Sequence, residues 1–157
     1  MAKRPQELLR LLTRAERLAT RRLQSALEEF DCSVEAWWVL DLLSDGQGHH
    51  MTALADHAFL PAPSATKLID QLVDQNLVFR RVDPADRRRV LAYLTPRGRE
   101  RRQRLVREVR AERARWEPLL GEEGERLEVL LDRLAEVLEG GGDATTTRAE
   151  RAVGRGR

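Results

Sequence analysis

Residues 77–96 read Leu77-Val78-Phe79-Arg80-Arg81-Val82-Asp83-Pro84-Ala85-Asp86-Arg87-Arg88-Arg89-Val90-Leu91-Ala92-Tyr93-Leu94-Thr95-Pro96. Two short runs rich in β-branched, aromatic and aliphatic residues, 77–82 and 90–94, flank a turn-forming Asp-Pro-Ala-Asp segment. The runs are close enough to pair as a hairpin whose tip spans residues 83–89. The tip carries three successive arginines, Arg87, Arg88 and Arg89. Side chains alternate along a strand, so these three cannot all face one way if they extend one. Thr95 is a good N-cap and Pro96 a good first residue for the helix that follows.

Upstream, a long helical period covers residues 5–30, with Leu8, Leu12, Ala15, Ala19, Leu23, Ala26 and Phe30 at three- and four-residue spacing. Such a helix would be about 39 Å long, more than a small core needs, which leaves apolar surface for another chain. Ser33 is placed to cap a second helix containing Val34, Trp37, Trp38, Leu40 and Leu43, which Asp45-Gly46-Gln47-Gly48 ends. A short helix over 51–59, with Thr52 as a candidate cap, precedes Leu60-Pro61-Ala62-Pro63. A further helix then runs from about Pro63 to Gln75, followed by Asn76 as an αL residue. Downstream of the hairpin, Leu105, Val106, Val109 and Trp116 mark a very long helix, and Leu127 to Leu138 a last amphipathic one ending at Gly140-Gly141-Gly142.

Two short helices followed by a hairpin form the outline of a winged helix-turn-helix, in which the second helix lies in the DNA major groove. The expected fold is mainly α with a small β-hairpin: a winged helix-turn-helix lobe over 33–94, and a helical dimerisation layer from 1–32 and 95–139. A disordered tail is expected over 140–157.

Charge is distributed to match. The chain of 157 residues has a net charge of only +2, with 34% charged and 4% aromatic residues. Residues 1–59 carry 7 Lys/Arg against 9 Asp/Glu, residues 60–118 carry 15 against 8, and residues 119–157 carry 6 against 9. The basic centre, net +7, covers the second helix of the pair, the hairpin and the start of the long helix, as a polyanion-binding surface would. No apolar run approaches the ~20 residues of a membrane span, and Met1-Ala2-Lys3-Arg4 does not open a secretory signal, so a cytoplasmic location is expected. The single cysteine, Cys32, excludes an internal disulfide framework. No glycine-rich phosphate loop or His-based nucleophile arrangement is present, which argues against an enzyme.

The segment Asp83-Pro84-Ala85-Asp86-Arg87-Arg88-Arg89 followed by Leu94-Thr95-Pro96-Arg97-Gly98 resembles the MarR family of bacterial transcriptional regulators. Leu68-Ile69-Asp70-Gln71-Leu72, Gln75-Asn76-Leu77-Val78 and Trp37-Trp38-Val39-Leu40 support this, and the resemblance runs in order over residues 8–139. It implies a winged-helix homodimer that binds double-stranded DNA at an inverted repeat, usually as a repressor, with possible control by a small phenolic or anionic effector. It further implies that Arg88 enters the minor groove while Asp86 holds it; Arg87 and Arg89, which cannot share its direction, are expected to meet phosphate. Pro63, Ser64, Thr66 and Lys67 would be the recognition-helix contacts. The usual glycine after that helix is Asn76 here, and Pro61-Ala62-Pro63 departs from the usual start of that helix.

Three features carry weaker readings. Trp37 and Trp38 leave a helix about 100° apart, so packing is the plain reading; an aromatic wall of an effector pocket at the lobe–dimer junction is the functional one. His49, His50 and His57 invite a metal check, but no third ligand presents itself, so no metal and no cofactor are expected. Cys32 has Glu28, Glu29 and Asp31 as neighbours, which disfavour a reactive thiolate. A metal- or oxidation-sensing relative of the same family, or a helical adaptor that never touches DNA, are the alternatives to a ligand-responsive regulator.

Overall fold

The computed structural model describes residues 5–150. They fall into two units, Met1–Arg113 and Ala114–Arg157. The first holds α1 (Pro5–Glu28), α2 (Val34–Leu42), a 3₁₀ turn (Leu43–Asp45), β1 (His49–His50), α3 (Met51–His57), α4 (Ala62–Asp74), β2 (Val78–Val82), β3 (Val90–Leu94) and nearly all of α5 (Pro96–Ala114). The second holds a 3₁₀ turn (Glu117–Leu120) and α6 (Glu123–Glu150).

The expected hairpin is present, but it belongs to a three-stranded antiparallel sheet in the order β1-β3-β2. His49 and His50 pair with Ala92 and Leu91, and Val78 to Val82 pair with Leu94 to Val90. A two-residue strand leaves no period to read, which is why sequence patterning overlooked β1. Gly48, with φ +75°, lets the chain enter β1 under the Tyr93 ring; a Cβ there would lie 2.3 Å from Tyr93 Cζ. On the same face Tyr93 stacks on Phe79, with centroids 5.4 Å apart.

One core organises the first unit. Leu27 of α1, Val39 and Leu40 of α2, Leu43, Leu54 of α3, Ile69 of α4, Val78 of β2 and Leu105 of α5 are all at most 2% exposed. Helices α1 and α5, which the sequence sets apart as a dimerisation layer, thus share a core with the lobe. Two ion pairs reinforce this: Arg22 with the buried Glu112, and Arg102 Nη2 with Asp41 Oδ1 at 2.6 Å. The cap at Ser33 forms as the sequence indicates, its Oγ accepting from the Ala36 N–H at 3.1 Å. For α3, by contrast, the residue before the helix is His50 rather than Thr52.

The exit of α4 is joined to the start of α5 through Thr95. Its N–H donates to the Leu77 carbonyl at 3.0 Å, and its hydroxyl donates to the Asn76 carbonyl at 2.7 Å while accepting the Gly98 N–H at 2.9 Å. Asn76 takes φ +56°, the αL geometry that Asn tolerates best after glycine. Gly98 is required because α5 runs against the backbone of Leu77: an added Cβ would sit 2.0 Å from the Leu77 carbonyl oxygen.

In the second unit, α6 continues through Gly140, Gly141 and Gly142 to Glu150, past the point where the sequence places its end and the start of a disordered tail. Each glycine costs a helix only about 1 kcal/mol relative to alanine, so a glycine run weakens a helix without forbidding it. Residues 151–157 of the expected tail, and 1–4 of the expected dimerisation layer, lie outside the described residues. No helix among the described residues is long and apolar enough to cross a membrane.

The Gly98 geometry makes a quantitative prediction. Gly98→Ala should destabilise the fold by about 2–4 kcal/mol, because the clash is with backbone that carries the Thr95 hydrogen bond. Chemical denaturation of the two proteins measures this, and a change below about 0.5 kcal/mol would show that the junction is not tight.

Candidate nucleic-acid interface

The arginine tip is a tightly hydrogen-bonded turn. The Asp83 N–H donates to the Arg89 carbonyl at 2.9 Å and the Arg89 N–H to the Asp86 carbonyl at 2.9 Å, closing the loop twice. Asp83 Oδ1 accepts from the Ala85 N–H at 2.8 Å, and Asp86 Oδ1 from the Arg88 N–H at 3.0 Å. These are the side-chain-to-backbone turns that Asp favours. β3 begins only at Val90, so Arg87, Arg88 and Arg89 sit on the turn and strand alternation does not sort them.

Asp86 is the brace of this turn. Besides the Arg88 N–H, its carboxylate meets Arg88 Nε at 3.3 Å and Arg89 Nε at 3.4 Å. The backbone N–H of Arg88, then its side chain and the charges of Arg89 and His50, hold the Asp86 carboxyl below the usual carboxylate range. The brace is therefore in place above that lowered pKa and is lost as pH falls through it. Arg88 itself remains 91% exposed, so most of its guanidinium is presented outward. His50 Nε2 lies 3.5 Å from Asp83 Oδ2 and ties β1 to the base of the tip.

Helix α4 presents a polar stripe beside this sheet. Ala65, Ile69 and Leu72 face the core, while Pro63, Ser64, Thr66, Lys67, Asp70 and Asp74 are exposed. The helix begins at Ala62 with Pro61 as the N-cap residue and no capping side chain, so Ser64 is a third-position helical residue and not the cap. The N-terminal turn thus keeps backbone N–H groups open to an anion. Thr66 Oγ1 donates back to the Ala62 carbonyl at 3.0 Å, which leaves its lone pairs available as acceptors. Ser64 and Lys67 line a shallow groove with Ser33, Glu35 and Gln71.

Two features of this region were not legible in the sequence. Arg80 of β2 reaches Asp70 of α4 at 2.6 Å. Phe59, in the link between α3 and α4, adopts φ +55° and is 85% exposed. That conformation costs an L-residue with a bulky side chain about 1–2 kcal/mol. An αL position is invisible to pattern reading when it holds a residue that normally avoids it.

The two tryptophans separate as their spacing requires. Trp37 is buried in the core, and its indole N–H meets no acceptor among the described residues. Trp38 is half-buried and packs edge-on against His57, with centroids 6.2 Å apart. Neither lines the cavity of about 470 Å³ that lies between α1, α2 and α4 in the first unit. That cavity is bounded by Gln24, Cys32, Gln71, Gln75, Leu77 and Arg101 among others, so its wall is amide-rich.

The histidines serve three separate contacts: His49 with Asp45 at 2.8 Å, His50 with Asp83, and His57 with Trp38. Among the described residues no group of three or more His, Cys, Asp or Glu is placed to hold a metal ion. Burial pushes the Cys32 thiol from 9.0 up to about 11, with Asp31 and Glu35 adding to the effect and Arg101 opposing it. The neutral thiol is thus fully favoured below pH 9, and its contribution to stability fades as pH rises towards 11. At pH 8 native Cys32 should react with iodoacetamide at least about tenfold more slowly than in the denatured chain. Equal rates would show an activated, accessible thiol instead.

Comparison with known proteins agrees with this geometry. The MarR family model matches residues 30–89, which run from just after α1 to the last arginine of the tip. The structure of transcriptional regulator PA4135 superposes with TM-score 0.76 at 27% identity, covering 85% of this chain and 98% of that one. AbsC, a MarR family transcriptional regulator from Streptomyces coelicolor, gives TM-score 0.75 at 27% identity, covering 89% and 99%. CouR from Rhodococcus jostii RHA1, seen bound to p-coumaroyl-CoA, gives 0.73 at 26% identity, covering 83% and 91%. CouR on a 23-mer DNA duplex gives 0.70 at 26% identity, covering 82% and 89%. No curated protein matches the chain in sequence. Residues 30–89 are thus similar to the MarR family, and the chain is similar in fold to transcriptional regulators of that family.

Proposed function

We propose that this protein is a sequence-specific, double-stranded-DNA-binding transcriptional regulator, a repressor that acts in the cytoplasm as a homodimer on an inverted repeat. The observation that carries the reading is the wing tip: Asp86 fixes the turn and leaves Arg88 91% exposed on an otherwise rigid hairpin. A rigid hairpin with a projecting arginine fits a narrow minor groove, whose negative potential draws Arg inward. Arg87 and Arg89 then face phosphate. Helix α4 enters the major groove with its N-terminal residues Pro63, Ser64, Thr66 and Lys67, the end that such helices use for bases and backbone. CouR, similar in fold at 26% identity, is a repressor seen on DNA, which supports the same role here.

Dimerisation is supported by apolar surface that the single chain leaves uncovered. Leu8, Leu9, Leu11 and Leu18 of α1 are 43–69% exposed, as are Leu127, Leu130, Leu131 and Leu138 of α6. A monomer rarely tolerates so much apolar surface, and a second copy is the partner that symmetry supplies. Two copies place two α4 helices on half-sites one helical turn, about 10 bp, apart. The adaptor alternative has no use for a braced arginine tip, and the raised Cys32 pKa and dispersed histidines give no support to oxidation or metal sensing.

Effector control belongs to the same reading. The cavity of about 470 Å³ shares α4 as one wall, through Leu68, Gln71, Leu72 and Gln75. A small ligand there would press on the inner face of the helix whose outer face meets DNA. Its effect is limited to its difference in affinity between the two positions of α4. The amides and Arg101 suit a phenolic hydroxyl or a carboxylate, in keeping with the relative that binds p-coumaroyl-CoA.

Two measurements test the proposal. Arg88→Ala should weaken specific duplex binding by about 1–3 kcal/mol, while affinity of the native protein falls steeply with salt. An unchanged affinity, or a flat salt response, would contradict the assigned role of the wing. Leu9→Glu combined with Leu130→Glu, at positions 69% and 62% exposed in the single chain, should yield folded monomers by sedimentation equilibrium. A dimer that survives both changes would refute these helix faces as the interface.

A further inference from the structure

The exposed stripe of α4 contains a residue that a DNA-reading helix should avoid. Pro63, Lys67, Asp70 and Asp74 recur at four-, three- and four-residue steps and form its middle line. Asp74 ends the helix, away from the bases in this mode of docking, but Asp70 lies within it. A bare carboxylate there would face the phosphates of the groove that α4 is proposed to enter.

Arg80 answers that charge. It stands opposite Ala92 in the β2–β3 ladder, on the sheet side that carries the buried Val78 and Leu94 and packs towards α4. From there its Nη2 reaches Asp70 Oδ1 at 2.6 Å, with the two side chains 34% and 54% exposed. An ion pair this exposed adds little to fold stability. Its placement matters more, since it joins the recognition helix to the hairpin that carries the arginine tip.

We infer that Arg80 is a positioning residue for DNA binding: it neutralises Asp70 on the groove-facing stripe of α4 and sets that helix against the wing, without itself contacting DNA. The inference rests on the DNA-binding reading above. It separates Arg80 from the tip arginines, which act on DNA directly, and it gives Asp70 a role in registering α4 on the sheet and not in reading a base.

The test uses the full-length protein and the duplex that the native protein selects from random sequence. R80A should lose at least about tenfold in affinity, because the unpaired carboxylate now opposes phosphate. Adding D70N to R80A should restore affinity to within about threefold of the native protein, with melting temperatures unchanged across the set. The salt slope of the double variant should match that of the native protein, whereas loss of a phosphate contact lowers it by about one. Native affinity in the same series reports on DNA binding itself, and the ratios among variants report on this inference. Failure of D70N to rescue R80A, a slope reduced by about one in the double variant, or a changed sequence preference in D70N would overturn it.

Discussion

The hydrogen-bonded junction at Thr95 is the constraint on which the arrangement depends. One side chain and one N–H collect the carbonyls of Asn76 and Leu77 and the N–H of Gly98. The C-terminal end of α4, the two strands of the wing and the first turn of α5 thereby meet at a single point. A buried carbonyl without a partner is costly, so these groups hold one another in a fixed geometry. Because the hairpin leaves and returns at this point, the angle between α4 and the arginine tip is set here. The Arg80–Asp70 pair then sets it a second time, about one helical turn from the end of α4.

Helix α4 has two working faces. Its outer stripe belongs to the proposed DNA contact, while Leu68 and Leu72 wall the cavity together with the exposed Gln71 and, just past the helix, Gln75. Any coupling between a ligand and DNA can therefore pass through one rigid element, without a long relay of side chains. Polar walls on that cavity, with Gln24, Gln71 and Gln75 beside Arg101, make recognition by hydrogen bonds more natural than by apolar fit.

Much of this was readable from the chain alone. The strands, their arginine tip, the Ser33 and Thr95 caps and the αL turn at Asn76 each depend on local rules: side-chain alternation, capping hydroxyls and Asn tolerance of positive φ. What escaped depends on contacts between distant residues or on elements too short for a period. The strand at His49–His50 exists because β3 offers it an edge, and the Arg80–Asp70 pair because β2 lies beside α4. The glycine in Leu94-Thr95-Pro96-Arg97-Gly98 was visible as a motif, but its reason, contact with the Leu77 carbonyl, appears only in three dimensions. Trp37 and Trp38 leave the helix about 100° apart, and Trp37 accordingly packs in the core while Trp38 meets His57.

The basic centre of the chain now has a concrete shape: a braced arginine tip beside α4, the proposed recognition helix, whose Asp70 is paired with Arg80. The most direct test of the account is selection of bound sequences from random duplex DNA with the purified full-length protein. The account predicts an inverted repeat with half-sites centred about one helical turn apart and an A·T-rich step where each wing tip lands. Recovery of unenriched sequence at moderate salt, with only weak binding that vanishes as salt rises, would contradict it.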